Sequence, residues 1–277
     1  MTTLRDSAAV AVRTFRVGDV EVSERGAGPP ILLVHAGGST GAVWTRVAVM
    51  LAGAFRVLVY DRPTYRTDTP LRGAEAMAAE VADLLAVAGA VDEPLVVVGH
   101  SSGAVVALQA ALAERDRFAG LLLYEPPVAV DRPLGGEALL RARAALDRGE
   151  PDRAMAIHAA DIVGVGGLSA VLLRRLPVLA RPLRAHAAGQ VADNEALESL
   201  GIGVDRYAGI DVPVLLLGGA RSPARLGAAL DALAAVLPRL DSVVVLPDQG
   251  HIATLRAPDQ VAAVVADFAG RVLTQAG

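Results

Sequence analysis

Leu95-Val96-Val97-Val98-Gly99-His100-Ser101-Ser102-Gly103-Ala104-Val105-Val106 decides how this chain is read. A continuous apolar run enters a Gly-x-Ser-x-Gly turn, and an alanine- and leucine-rich helical stretch leaves it. Such a run suits a strand buried on both faces of a sheet. A strand that turns sharply into a helix holds Ser101 at the apex, with its hydroxyl exposed as a nucleophile. The same turn points the backbone N–H of Ser102 into the same space. Gly99 and Gly103 flank Ser101 by two on each side, where side chains would clash in a tight turn. Ser102 is the rival nucleophile, but it breaks that spacing.

Working outward, further apolar runs repeat the pattern. Thr14–Val17 and Val20–Glu24 predict a hairpin around Gly18-Asp19. Ile31–Val34, Phe55–Tyr60, Phe118–Tyr124, Val212–Leu217 and Ser242–Leu246 read as strands. Helical stretches follow at Trp44–Ala52, Ala74–Ala88, Ala104 to about Glu114, Ala224–Leu237 and Pro258–Leu273. Alternating strands and helices predict an α/β protein, with a mostly parallel sheet and helices on both faces. From Ala129 to Ile210 the strand rhythm stops and the pattern is helical, which predicts a helical cap inserted into the core. The expected division is a core of 1–128 and 211–277 and a cap of 129–210. A separate C-terminal domain beginning near 130 is disfavoured, because the strands after 210 are too few to form their own core.

Composition narrows the chemistry. The chain has 277 residues, a formal net charge of −4, no Cys and 26 basic residues, every one an arginine. Without lysine there is no Schiff-base or lysine-nucleophile chemistry. Without cysteine there are no disulfides, thiolate nucleophiles or Cys-ligated metal sites. No basic stripe points to nucleic acid, and no apolar stretch is long enough to span a bilayer. Met1–Arg16 lacks the apolar region and cleavage site of a secretory leader. A cytoplasmic protein acting on a small molecule, with no nucleic-acid or membrane partner, is expected; oligomeric state is not legible. The histidines form no metal-ligand pattern, and neither metal nor other cofactor is expected.

A serine hydroxyl needs a base, a group that orients the base, and donors for the developing oxyanion. His251, in Leu246-Pro247-Asp248-Gln249-Gly250-His251, follows the last strand and supplies the base. His35-Ala36-Gly37-Gly38-Ser39 follows a buried strand, and its small residues let backbone N–H groups approach a substrate. Gly37 and Ser102 are the expected oxyanion donors, with Ala36 and Gly38 as alternatives to Gly37. His35 is expected to hydrogen-bond beneath the loop, and His100 to point away from Ser101. His158 either lines a cavity or faces solvent.

The order of Gly-rich loop, Asp61-Arg62, Gly-x-Ser-x-Gly and Gly-His resembles the α/β-hydrolase superfamily from about residue 14 to 273. The resemblance implies an eight-stranded sheet, a lid after strand six, Ser101 as nucleophile and His251 as base. It also exposes a departure. The family's acid commonly stands after strand seven, where this chain reads Gly218-Gly219-Ala220-Arg221-Ser222-Pro223 and has no carboxylate; Ser222 stands near that position. Some members carry the acid after strand six, and Glu125 in Tyr124-Glu125-Pro126-Pro127 fits that place. Asp248 is the weaker rival, and Asp231 falls inside a predicted helix. Asp61 and Arg62 are read as braces for their loop.

The leading expectation is a metal-free serine hydrolase of esters, lactones or thioesters, acting through an acyl-enzyme on Ser101, with catalytic residues Ser101, His251 and Glu125. The alternatives are a non-hydrolytic member of the fold (acyl transfer, a lyase or a cyclase step) and a non-catalytic binding protein. The cap's Ala, Val and Leu content suggests an apolar cavity. Arg174, Arg175, Arg181 and Arg184 are available there for an acidic group or for solvent.

Overall fold

The computed structural model describes residues 11–164 and 167–275. Parts of three sequence readings lie outside these residues: the N-terminal segment searched for a secretory leader (1–10), the end of the expected core segment (276–277) and a short piece of the expected cap (165–166).

Eight strands form one sheet: β1 (Val12–Val17), β2 (Val20–Arg25), β3 (Pro30–Val34), β4 (Arg56–Tyr60), β5 (Leu95–His100), β6 (Phe118–Tyr124), β7 (Val214–Gly219) and β8 (Leu240–Leu246). Their order is β1-β2-β4-β3-β5-β6-β7-β8. The β1–β2 and β2–β4 pairings are antiparallel and all others are parallel. The expected mostly parallel, eight-stranded α/β sheet is present. The central strands β3 and β5 are buried along their whole length, as their unalternated apolar runs require. Edge strand β8 instead alternates between half-buried and exposed residues until Leu246.

The helices are α1 (Thr45–Leu51), α2 (Gly73–Gly89), α3 (Ser102–Ala113), α4 (Gly136–Asp147), α5 (Pro151–Ile157), α6 (Gly167–Arg175), α7 (Ala187–Ser199), α8 (Ala224–Val236), α9 (Ala253–Arg256) and α10 (Pro258–Gln275). Two cores result. Leu32, Val34 and Val97 point to one face of the sheet, beneath α2, α3 and α8. Ile31, Leu33, Val96 and Val98 point to the other, beneath α1 and α10. Successive strand residues face opposite ways, so one apolar run feeds both cores.

The sheet order creates the opening for a site. β3 lies between β4 and β5, and the helices after β3 and β5 leave to opposite faces. A crevice therefore opens at the carboxyl ends of these two strands. Helices α4 to α7 and a π-helical turn at His158–Val163 lie between β6 and β7 in the chain. They carry small apolar clusters of their own, such as Leu139, Ala142, Ala154 and Val191.

Candidate active site

Ser101 stands between β5 and α3 with φ 53° and ψ −124°. Its N–H donates to the carbonyl of Tyr124 at 2.8 Å, so the sheet ladder holds the turn. A Cβ on Gly99 would sit 2.5 Å from the Ala104 Cα. One on Gly103 would sit 2.4 Å from the His35 carbonyl oxygen. Both glycines are thus required by close backbone approach, as the motif spacing predicts.

Three side chains from distant parts of the chain meet here. The Ser101 Oγ lies 3.0 Å from His251 Nε2, and His251 Nδ1 lies 2.6 Å from Glu125 Oε2. A carboxylate only accepts, so Nδ1 carries the proton and Nε2 is left to accept from the serine hydroxyl. Glu125 directly follows β6 and is 1 % exposed. Its second oxygen accepts the Gly219 N–H at 2.7 Å. The end of β7 therefore donates to this carboxylate. Ser222 has a buried hydroxyl with no partner among the described residues. Asp248 is exposed and paired with Arg221 at 2.9 Å. Asp231 lies on the exposed side of α8.

Among the described residues, Ser101 and Glu125 (φ 47°) are the two non-glycine residues with positive φ. Such a conformation costs about 1–3 kcal/mol and persists only where the surroundings enforce it. Here the enforced residues are the hydroxyl and the carboxylate at the two ends of one hydrogen-bonded chain.

The His251 loop is braced from below. His100 Nε2 donates to the carbonyl of His251 at 2.8 Å. The His100 ring stacks on Tyr124 with centroids 4.5 Å apart. The Tyr124 hydroxyl donates to the Gly250 carbonyl and accepts the Ala253 N–H. Burial first, then the neighbouring His251, hold the His100 pKa well below its ordinary value. The residue before Ser101 is thus a neutral strut.

The glycine-rich loop rests on a buried ion cluster. Arg62 is fully buried, and its guanidinium faces Glu80 of α2 at 2.8 Å and Asp193 of α7 at 2.6 Å. It also donates to Ser102 Oγ at 2.8 Å and to the His35 carbonyl at 3.2 Å. The Arg62 backbone N–H donates to His35 Nε2, while His35 Nδ1 donates to the Ala36 carbonyl. Burial, then Arg62, lower the His35 pKa to about 3. Burial alone would lower the Arg62 pKa as well, but Asp193 and Glu80 outweigh it and raise it. The Gly38 N–H is already committed to the Tyr65 hydroxyl at 3.0 Å. That leaves Gly37 and Ala36 as the loop's candidate donors. Ser102 opens α3, where first-turn N–H groups have no acceptor within the helix.

These residues line a cavity of about 290 Å³, near the small end of ligand sites. The segment between β6 and β7 closes it with Ile162, Val163, Leu183 and Leu197 and with a polar row. In that row Gln190 donates to Asn194 Oδ1 at 3.2 Å, and Asn194 Nδ2 lies 2.9 Å from His158 Nδ1. His158 lines the cavity, and burial lowers its pKa to about 4. The sequence reading missed Glu80, Asp193, Gln190 and Asn194. The signal for the last three was a polar stripe at i, i+3, i+4 in an otherwise alanine-rich helix.

Residues 31–264 match the alpha/beta hydrolase family, and the chain belongs to it. A crystal structure of an alpha/beta hydrolase from Sphaerobacter thermophilus superposes with a TM-score of 0.71 at 30% identity, covering 92% of this chain and 99% of that one. Among curated relatives, the pimeloyl-[acyl-carrier protein] methyl ester esterase of Aeromonas salmonicida is 33% identical over 104 residues, 37% of this chain and 40% of that protein. Lipase LipV of Mycobacterium tuberculosis is 34% identical over 119 residues, 41% of this chain and 44% of that protein. The chain thus spans about 40% of the length of the curated relatives it matches. No helix among the described residues is long and apolar enough to cross a membrane.

Proposed function

We propose that this chain is a serine-nucleophile ester hydrolase acting on a small, largely apolar substrate. The observation that carries the reading is the unbroken chain from Ser101 Oγ through His251 to Glu125, at 3.0 and 2.6 Å. The Ser101 oxygen attacks the ester carbonyl carbon as His251 Nε2 takes its proton. Glu125 holds the Nδ1–H and stabilises the imidazolium that forms. The carbonyl oxygen becomes an oxyanion facing the backbone N–H groups of Gly37 and Ser102, and losing one such donor typically costs about 3 kcal/mol of barrier. The tetrahedral intermediate collapses, the alcohol leaves with the proton from His251, and an acyl ester on Ser101 remains. Water, deprotonated by His251, attacks that ester, and the acid departs with Ser101 restored.

The ester-cleaving relatives support the reaction class. In this reading 129–210 serves as a cap, and its apolar lining excludes water from the acyl-enzyme. The test is hydrolysis of 4-nitrophenyl esters of graded chain length by wild type, Ser101→Ala and His251→Ala. Turnover confined to the wild type supports the reading. Undiminished turnover in Ser101→Ala contradicts it.

A further inference from the structure

One wall of the cavity carries a cation without a counter-charge. Arg225, near the start of α8, lines the cavity that holds Ser101 and His251. It is half-buried, and its Nε donates to the Val163 carbonyl at 3.0 Å, which fixes the plane of the guanidinium. Among the described residues no carboxylate oxygen lies within 4.0 Å of it. Arg56, Arg62 and Arg143 are buried or half-buried too, and each faces a carboxylate. The charged neighbour that acts on Arg225 is a second arginine: burial first, then Arg132, lower its pKa.

A partly desolvated guanidinium beside another cation is an unfavourable arrangement until an anion arrives. Its planar fork matches a carboxylate with two parallel hydrogen bonds. Arg174 and Arg184 of the inserted segment do not compete for such a group at this site. Arg174 is bound to Asp161 and Arg184 faces Asp152, and neither lines the Ser101 cavity. Arg225 and Ser101 share this cavity with apolar lining residues that include Leu134, Ile162, Leu226 and Ile252. That suits a short alkyl spacer.

Resting on the ester-hydrolase reading above, we propose that Arg225 recognises a carboxylate at the far end of the acyl group. The preferred substrate is then a half-ester of a short dicarboxylic acid, with Ser101 attacking the ester end and Arg225 holding the acid end.

The experiment compares kcat/KM for the 4-nitrophenyl esters of butyric acid and of glutaric acid (the half-ester) in wild type, Arg225→Gln and Arg225→Lys. Wild type should favour the half-ester, and Arg225→Gln should lower that preference about tenfold to a hundredfold, the worth of a charged hydrogen bond. Arg225→Lys should retain part of it. No preference in wild type, or a preference that Arg225→Gln leaves intact, overturns the proposal. Turnover of neither ester would instead count against the ester-hydrolase reading. Calorimetry with monomethyl glutarate then tests the anion site alone, on Ser101→Ala with and without Arg225→Gln. Binding about tenfold weaker without the arginine supports the site; equal affinity, or no binding by either protein, overturns it.

Discussion

Replacing Glu125 with glutamine preserves shape and removes one acceptor. Both carboxylate oxygens accept hydrogen bonds, Oε2 from His251 Nδ1 at 2.6 Å and Oε1 from the Gly219 N–H at 2.7 Å. Glutamine has one accepting end and one donating end. With its oxygen towards Gly219, its amide NH2 faces Nδ1, which must then accept. The imidazole proton moves to Nε2, and that nitrogen cannot take a proton from Ser101. With its oxygen towards His251, two donors confront each other at a residue only 1 % exposed. Leaving the Gly219 N–H unsatisfied costs about 1–3 kcal/mol. The first arrangement is therefore preferred, and it holds the wrong tautomer. The expected loss in kcat is about ten-thousandfold, or ~5 kcal/mol of barrier. The assay is steady-state hydrolysis of 4-nitrophenyl butyrate, with Asp248→Asn as control. Asp248 is exposed and bound to Arg221, so its variant should stay within about twofold of wild type. A Glu125→Gln enzyme within tenfold of wild type, beside a dead Asp248→Asn, would refute the reasoning.

Three further outcomes follow from the same geometry. His35, His100 and His158 have folded pKa values held below the ordinary histidine value, to about 3 for His35 and about 4 for His158. The unfolded chain therefore binds protons that the folded chain refuses, and stability falls as pH drops from about 6.5 towards 4. His35 and His158 alone give a slope of about 3 kcal/mol per pH unit near pH 5, with His100 acting in the same direction and the carboxyls of Glu80 and Asp83, raised by burial, acting against it. Urea denaturation at pH 7, 6 and 5 measures this, and a flat profile would contradict it. Arg62→Met leaves Glu80 and Asp193 buried without their cation, and should cost about 3–5 kcal/mol by the same method; a loss under about 1 kcal/mol would mean that the cluster relaxes into water. Gly103→Ala places a methyl 2.4 Å from the His35 carbonyl oxygen, so it should abolish labelling of Ser101 by a fluorophosphonate or prevent folding, whereas Gly227→Ala, in open space, should do neither.

The central strands β3 and β5 were legible because their apolar runs have no alternation, as burial on both faces requires, whereas the equally unbroken run of β8 lies at the sheet edge with Val243 and Val245 exposed. Ends were less so. β7 runs on through Gly218-Gly219, which as a sequence reads like a turn, because β8 pairs with it to the last residue. The helix expected from Trp44 begins at Thr45, after a 3-10 turn over Gly41–Trp44. The elbow at Ser101 and the histidine at 251 announce themselves locally. Glu125 could be nominated because it follows a strand, but its positive φ and the Gly219 N–H that selects it depend on β7, ninety residues further on. Arg62 was legible as a brace, while its partner Asp193 was not, since nothing near either residue encodes a contact 131 positions apart. The same limit hid Arg225. The insert's arginines looked available for an acidic group, yet Arg174 and Arg184 face acids of their own segment, and the cavity's cation comes from the core.

Intact-mass and peptide mass spectrometry after fluorophosphonate treatment tests the central claim most directly, because it reads the nucleophile without assuming a substrate. The hydrogen-bonded chain of Ser101, His251 and Glu125 predicts one phosphonyl adduct per chain, located on Ser101. It predicts no adduct in Ser101→Ala and a rate slowed by several orders of magnitude in His251→Ala. A folded wild-type protein that stays unlabelled, or an adduct on Ser102 that survives Ser101→Ala, would contradict it.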